Sequence, residues 1–455
     1  MTTRPILIRN VRILDVGDAF DQVGDLLLRD GHVASRGGHV SPSDAIVIDG
    51  TSLVATPGFI DFHAHLREPG FEDKETIATG AAAGARGGFT TLCAMPNTNP
   101  AIDNGTVVDF VLQRAREAGP VRVLAVGAVT IGRAGKVLTD MEELAGAGVV
   151  AFTDDGAPVA DARMMRNALL YAADLGLPVV DHCEDYTLTK GTGIHDGWVA
   201  SRLGLAGYPS AGEESLVARD IALAGMTGGW FHAAHLSTAG GAELVRRAKQ
   251  RGLRVTAEVT PHHLTMTEEW VLGHQGRHAR GPLTAAAYDT HAKVSPPLRA
   301  IDDRAAMVEA LKDGTIDSIA TDHAPHTWSD KTMPFDDANV GLSVLETAFG
   351  SLMALVHGGE LPLETLIRKL TVGPAAMLGP RHAGLATLRP GTPADVVLFD
   401  PNEEWVVDTA RFASKGKNTP LRGATLKGRV RLTIAQGQIV HDGMQPETLK
   451  KVARS

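Results

Sequence analysis

Six side chains able to hold a metal ion stand near the ends of short apolar runs: His63 and His65 in GFIDFHAHLREPG, Asp155 in GVVAFTDD, His182 in LPVVDH, His235 in GWFHAAH and Asp322 in IDSIATD. Successive side chains of an extended strand alternate between faces, so His63 and His65, two apart, project to the same side as a chelating pair. Two histidines on one strand face are commonly ordinary polar residues. Six ligand-type residues at the ends of five separate runs are not explained that way. Imidazole and carboxylate donors without a thiolate cluster suit Zn²⁺, with Mn²⁺, Co²⁺ or Fe²⁺ as substitutes that donor type alone admits. A catalytic zinc takes about three protein ligands and keeps one position open, so six donors imply two ions. A carboxylate shared between them would place a bridging water and lower its pKa, making hydroxide available as a nucleophile near neutral pH.

These residues can meet only if the intervening chain brings distant strand ends together. Between about residues 58 and 379 short apolar runs (FTTLCAMP, VRVLAVGAVT, VVAFTDDG, LPVVDHCE, GWFHAAHLS, LRVTAEVTP and IDSIATDHAP) alternate with Ala/Leu/Arg-rich helical stretches. Strands apolar on both faces and separated by helices predict a parallel sheet covered by helices. Seven or eight such units predict an α/β fold of the closed (β/α)₈, TIM-like kind, with a doubly wound open sheet as the alternative. In a barrel the C-terminal strand ends share one rim, where active sites form. The flanks read differently. PILIRNVRIL, DLLLRDGHVA around Asp30-Gly31 and AIVIDG at the start, and ADVVLFDP and RGATLKGRVRLTIAQGQIVHDG near the end, are β-rich runs broken by turns. A sheet of three strands is marginal alone, so residues 1–57 and 380–455 are expected to combine into one small β-sandwich beside a barrel of residues 58–379.

The bulk properties narrow the partners. A chain of 455 residues with 44% hydrophobic and 21% charged residues buries a sizeable core. A formal charge of −9 argues against nucleic acid or an anionic membrane as the main partner, since either needs a basic face. Cys93 and Cys183 are too few for a disulfide scaffold, the start MTTRPILIRN carries no apolar signal region, and there is no apolar run long enough to span a bilayer. A reduced, cytoplasmic protein is expected.

At the motifs GFIDFHAHLREPG, ETIATGAAAGARGGFTTLCAMPNTNP, AFTDDG, DHCED, VTAEVTPHHL, PPLR, IATDHAPH and SKGKNTPLRG the chain resembles the dihydroorotases of the amidohydrolase superfamily, over nearly its whole length. The resemblance implies a barrel with a composite β domain, a dizinc centre, and conversion between dihydroorotate and N-carbamoyl-L-aspartate in pyrimidine biosynthesis. Carried over by motif, His63, His65 and Asp322 would hold one zinc, His182 and His235 the other, and Asp155 would bridge them. Asp322 would also move the proton. Many relatives bridge with a carbamylated lysine, but between Glu75 and Thr189 the only lysine is Lys136, in the loop GRAGKV. AFTDDG instead resembles the aspartate-bridged subgroup, with Asp154 as the alternative to Asp155. The substrate carboxylate would pair with Arg67, and His65, Asn97, Ser295 and His326 would also face the substrate. Family habit implies a homodimer, and association with aspartate transcarbamoylase stays open.

The chain also departs from the family pattern. Ser295 stands where asparagine is usual, a form shared with hydantoinases, and after Pro334-Phe335 the usual glycine is replaced by Asp336, which opens DDANVGLSVLETAF, a stretch longer than usual. The stretch Trp270 to Tyr288, with His274 and His278, reads as a surface insertion. Two alternatives therefore accompany the dihydroorotase reading. One is a hydantoinase, dihydropyrimidinase or allantoinase; the other is an inactive paralogue serving as a structural partner of the transcarbamoylase.

Overall fold

The computed structural model describes residues 4–273 and 283–444; His274 and His278 lie outside them. The two flanks of the chain meet in one eight-stranded sheet. Its order is Gln438–Asp442, Thr425–Ala435, Val396–Val406, Val54–Pro57, Ile6–Asp15, Phe20–Arg29 and His32–Arg36, with Ile46–Asp49 added beside Ile6–Asp15. The join between the flanks is antiparallel, Val396 to Phe399 running against Val54–Pro57. Asp30 and Gly31 both take positive φ, the two-residue turn that a right-twisted hairpin requires, and set Arg29 opposite His32. Ile6, Ile8, Val11, Ile13, Leu26 and Leu28 pack with Val396, Leu398, Leu432 and Ile434 in one buried cluster, so neither flank completes its core without the other.

The middle of the chain is mixed α/β. Phe59–Ala64, Phe89–Ala94 and Arg122–Ala125 pair in parallel, as do Val179–Asp181, Phe231–Ala233, Val255–Val259 and Ser318–Ile319. Parallel bridges Gly127–Phe152 and Phe152–Val179 link the two sets, and Ala64–His323 links the last strand to the first. The parallel ladder thus returns to its starting strand. Phe59–Ala64 and Phe89–Ala94 are buried throughout, as their apolar runs predict. The helix between them, Ile77–Gly87, starts at a capping box on Thr76 and stops at Gly88, whose φ of 90° a larger residue would adopt only with strain. Phe349 contacts both Phe59 and Phe399, with ring centroids 5.3 and 4.6 Å away, so the wound region and the terminal sheet share packing. Both cysteines are free and buried. No helix among the described residues is long and apolar enough to cross a membrane.

Candidate metal centre

All six ligand-type residues converge at the C-terminal ends of the parallel strands, and all are buried. Asp155 sits between two histidine pairs. Its Oδ2 is 3.4 Å from Nε2 of both His63 and His65, while its Oδ1 lies 3.5 Å from His235 Nε2 and 3.8 Å from His182 Nδ1. Asp322 Oδ1 lies 3.0 Å from His65 Nε2 and 3.7 Å from His63 Nε2. Ligands about 2.0–2.2 Å from one tetrahedral ion stand roughly 3.3–3.5 Å from each other, so these separations are those of donors sharing a cation. Two further observations support the fit. His63 Nε2 and Asp155 Oδ1 are buried without a hydrogen-bond partner, an arrangement costly unless an ion completes it. Burial alone would raise the Asp155 carboxyl, but His63 and His235 outweigh it and hold it well below the usual range, leaving it ionised. The donor set therefore fits a divalent cation.

The two adjacent aspartates turn in different directions, and Thr130 holds the first. Its backbone N–H and hydroxyl both donate to Asp154, which is turned into the 130–135 loop, leaving Asp155 for the histidines. Lys136 is exposed on that loop. A third group of ligand types, Asp181, Cys183 and Asp220, is engaged by Arg219, whose guanidinium bonds Asp220 and approaches Asp181 to 3.6 Å.

Three of the four histidines are oriented by a partner outside the ligand set. His63 Nδ1 meets Glu258 Oε1 at 2.7 Å, His65 Nδ1 meets Asn97 Oδ1 at 2.8 Å, and His182 Nε2 meets Glu184 Oε2 at 2.9 Å. Each contact directs the other ring nitrogen to the centre, the division of labour usual for metal-binding imidazoles. Asn97, expected to face substrate, thus also sets the His65 ring. Burial would raise Glu258, but His63 and His232 bring it down to about 2, so this fully buried residue is a carboxylate. Neither Glu258 nor Glu184 was anticipated. The signal for Glu258 was a lone acid in the apolar strand VTAEV, where a charge persists only with a partner. Replacing Glu258 with glutamine should weaken metal binding about 10- to 100-fold while the fold persists. Metal content after dialysis against graded chelator checks this; retention equal to wild type would deny Glu258 that role.

A cavity of about 810 Å³ opens over the centre and is lined by His65, Arg67, Asn97, Ser295 and His326, so every residue expected to face substrate borders it. Burial pushes the Arg67 guanidinium down to about 10, so it remains a cation at neutral pH. Its Nε donates to Pro325 O. Burial, followed by the Arg67 charge, pushes His326 down to about 3; the ring is neutral and contacts Val340 O through Nε2. Three of the ten non-glycine residues with positive φ among those described are Arg67, His235 and Asp322, and such backbone strain gathers where side chains must be aimed. The wall Asn339–Val340–Gly341 is pinned by two lysines that the motifs left unassigned. Lys293 Nζ donates to the carbonyls of Phe335, Asp336 and Ala338, and Lys331 Nζ to those of Asn339 and Gly341. These bonds fix the segment in which Asp336 departs from the family pattern.

Fold and site together define a metal-dependent amidohydrolase. An amidohydrolase family model matches residues 209–441 and a dihydro-orotase-like model residues 52–240. Among curated proteins, a dihydroorotase of Pelotomaculum thermopropionicum is 48% identical over 96% of this chain and 98% of its own. One of Caldanaerobacter subterraneus subsp. tengcongensis is 46% identical over 95% and 96%. The chain belongs to the dihydroorotase family. Among solved structures, the L-hydantoinase (dihydropyrimidinase) of Arthrobacter aurescens superposes with a TM-score of 0.82 at 22% identity, covering 97% of each chain. The dihydropyrimidinase of Brevibacillus agri gives 0.82 at 22%, covering 96% of this chain and 95% of its own. That likeness is one of fold.

Proposed function

We propose that the chain catalyses the reversible hydrolysis of (S)-dihydroorotate to N-carbamoyl-L-aspartate, the ring-closing step of pyrimidine synthesis when run in reverse. The observation that carries this reading is Arg67, a cation held at the wall of the cavity over the candidate metal ligands. Dihydroorotate carries a carboxylate, and hydantoin, dihydrouracil and allantoin do not. The returning parallel ladder is read as a closed (β/α)₈ barrel of residues 58–379, and residues 1–57 with 380–455 as the β domain beside it.

Two Zn²⁺ ions suit the donors: His63, His65 and Asp322 for one, His182 and His235 for the other, Asp155 between them. Bound there, they would lower the pKa of a water near neutrality and polarise the scissile carbonyl. The remaining steps belong to side chains. Arg67 pairs with the substrate carboxylate, and Asn97, whose oxygen is taken by His65, has its amide N–H groups left to donate. His326 and Ser295 line the same cavity. Asp322 accepts the proton of the attacking water and passes it to the departing ring nitrogen.

Assay of the zinc-loaded protein with dihydroorotate, hydantoin, dihydrouracil and allantoin tests the reading. Dihydroorotate should be turned over by far the best; preferential hydrolysis of hydantoin or dihydrouracil would overturn it. Replacing Arg67 with methionine removes a charge-assisted pair of about 1.5–3 kcal/mol, so KM for dihydroorotate should rise roughly 10- to 100-fold. An unchanged KM would place the substrate carboxylate elsewhere.

A further inference from the structure

A second cavity, of about 610 Å³, adjoins the first at His326. Three of its lining residues, Lys415, Lys417 and Arg422, are exposed cations carried by the SKGKNTPLRG segment. Among the described residues Asp289 is the one carboxylate in its wall, in a chain whose net charge is −9. The cations are not spent on ion pairs. Lys415 Nζ donates to Glu72 O, and Lys417 Nζ to Phe412 O and Ser414 O, all neutral carbonyls. Arg422 has no ion pair among the described residues. Main-chain carbonyls orient these groups, and the Glu346 and Glu75 carboxylates act on Lys417 without forming an ion pair with it, so the wall keeps a net positive charge where an anion would be bound.

The rim adds an aromatic surface. Trp328 is 70% exposed, and His291, tilted at 43° to it with centroids 6.4 Å apart, has Nδ1 buried with no hydrogen-bond partner. The charged groups facing His291 are Asp289, Lys331 and Arg422. Lys331 is committed to the wall of the first cavity and is not counted with the three open cations. An exposed indole beside cations free of ion pairs is the pairing that takes a planar ring on its face and phosphate oxygens on the adjacent charges.

The floor is rigid. Asn418, buried between Lys417 and Thr419, accepts from the His326 N–H and the Ser343 hydroxyl and donates to Ala324 O and Gly341 O. The cations are therefore pre-positioned, and the volume lies in the range of small-molecule sites. The same asparagine bonds join the second cavity to two walls of the first, His326 and Gly341.

We propose that this second cavity is a binding site for a nucleoside phosphate, with phosphate on Lys415, Lys417 and Arg422 and the base on Trp328. The site is separate from the catalytic assignment and does not depend on it. Calorimetric titration of the full-length, metal-loaded protein with the four common ribonucleoside 5′-monophosphates, inorganic phosphate and adenosine tests it. At least one monophosphate should bind one per chain, at least about tenfold tighter than inorganic phosphate or adenosine. Arg422→Glu and Trp328→Ala should each weaken it about tenfold or more, and added salt should weaken it further. Two results would overturn the proposal: no saturable heat with any monophosphate at millimolar concentration, or equal affinity in wild type and Arg422→Glu. The second would put the phosphate at the metal centre or at another surface.

Discussion

Replacing Asp155 with alanine should abolish turnover, by a factor of at least about 10³, because it removes the one side chain that faces both histidine pairs. Without the carboxylate, four imidazoles are left around the centre with Asp322 as the single ionised ligand. His63 shows how far the charges depend on each other. Burial alone would lower its imidazolium, yet Asp155 and Glu258 outweigh that and hold it well above its usual value. A centre stripped of Asp155 should hold fewer than two ions per chain. The loss is visible without any activity measurement. A metal that binds the folded chain and not the unfolded one stabilises it by about 4 kcal/mol at a thousandfold excess over its dissociation constant, so added zinc should raise the melting temperature of wild type clearly more than that of Asp155→Ala. Chelation of wild type should reproduce the variant and be reversed by zinc. Asp154→Ala is the control: it breaks the Thr130 contacts and should keep the metal. An Asp155→Ala protein with two ions and normal turnover would remove the proposed bridge.

The contrast between these neighbours shows where sequence reading reaches its limit. That the centre contains His63, His65, His182, His235 and Asp322 could be read from residue type and from position at the ends of apolar runs, since strand ends in a wound parallel sheet share one rim. Which aspartate of Thr153-Asp154-Asp155 turns inward could not be read that way. It depends on Thr130, 24 residues upstream in another loop, claiming Asp154 first. Glu258 was hidden for a related reason: its partner His63 is 195 residues away, and only the assembled sheet puts a strand-interior acid behind that ring. Lys293 and Lys331 are further from reach, because they bind carbonyls and the backbone course of residues 335–341 carries no signature in side-chain type. At fold level, the matching β texture of the two flanks announced a composite domain, and the shared apolar cluster explains why they combine. The strand order did not follow from texture, because the N-terminal half of Ile6–Asp15 is flanked by Ile46–Asp49 and its C-terminal half by Val54–Pro57.

Asp322→Asn should lower kcat by about 10²–10⁴ with little change in KM, the range expected when a positioned proton carrier is lost. The amide keeps an oxygen where Oδ1 now stands 3.0 Å from His65 Nε2, so metal content should fall far less than in Asp155→Ala. Separating the two effects is what makes the variant informative. If Asp322 only held metal, restoring zinc at high concentration would restore turnover; if it carries the proton, a fully loaded protein should stay slow. The backbone argues that its aim matters. Asp322 takes a φ of 46°, and the preceding Thr321 is locked by its N–H and hydroxyl to Asp61 on the first strand of the ladder. Chemistry imposes one further constraint. A residue that takes a proton from water in hydrolysis must return it in cyclisation, and since a substitution cannot move the equilibrium between dihydroorotate and carbamoyl aspartate, kcat/KM must fall by the same factor in both directions. Measuring both directions on metal-saturated Asp322→Asn therefore checks that the two assays agree, and turnover within about threefold of wild type would reject the proton role.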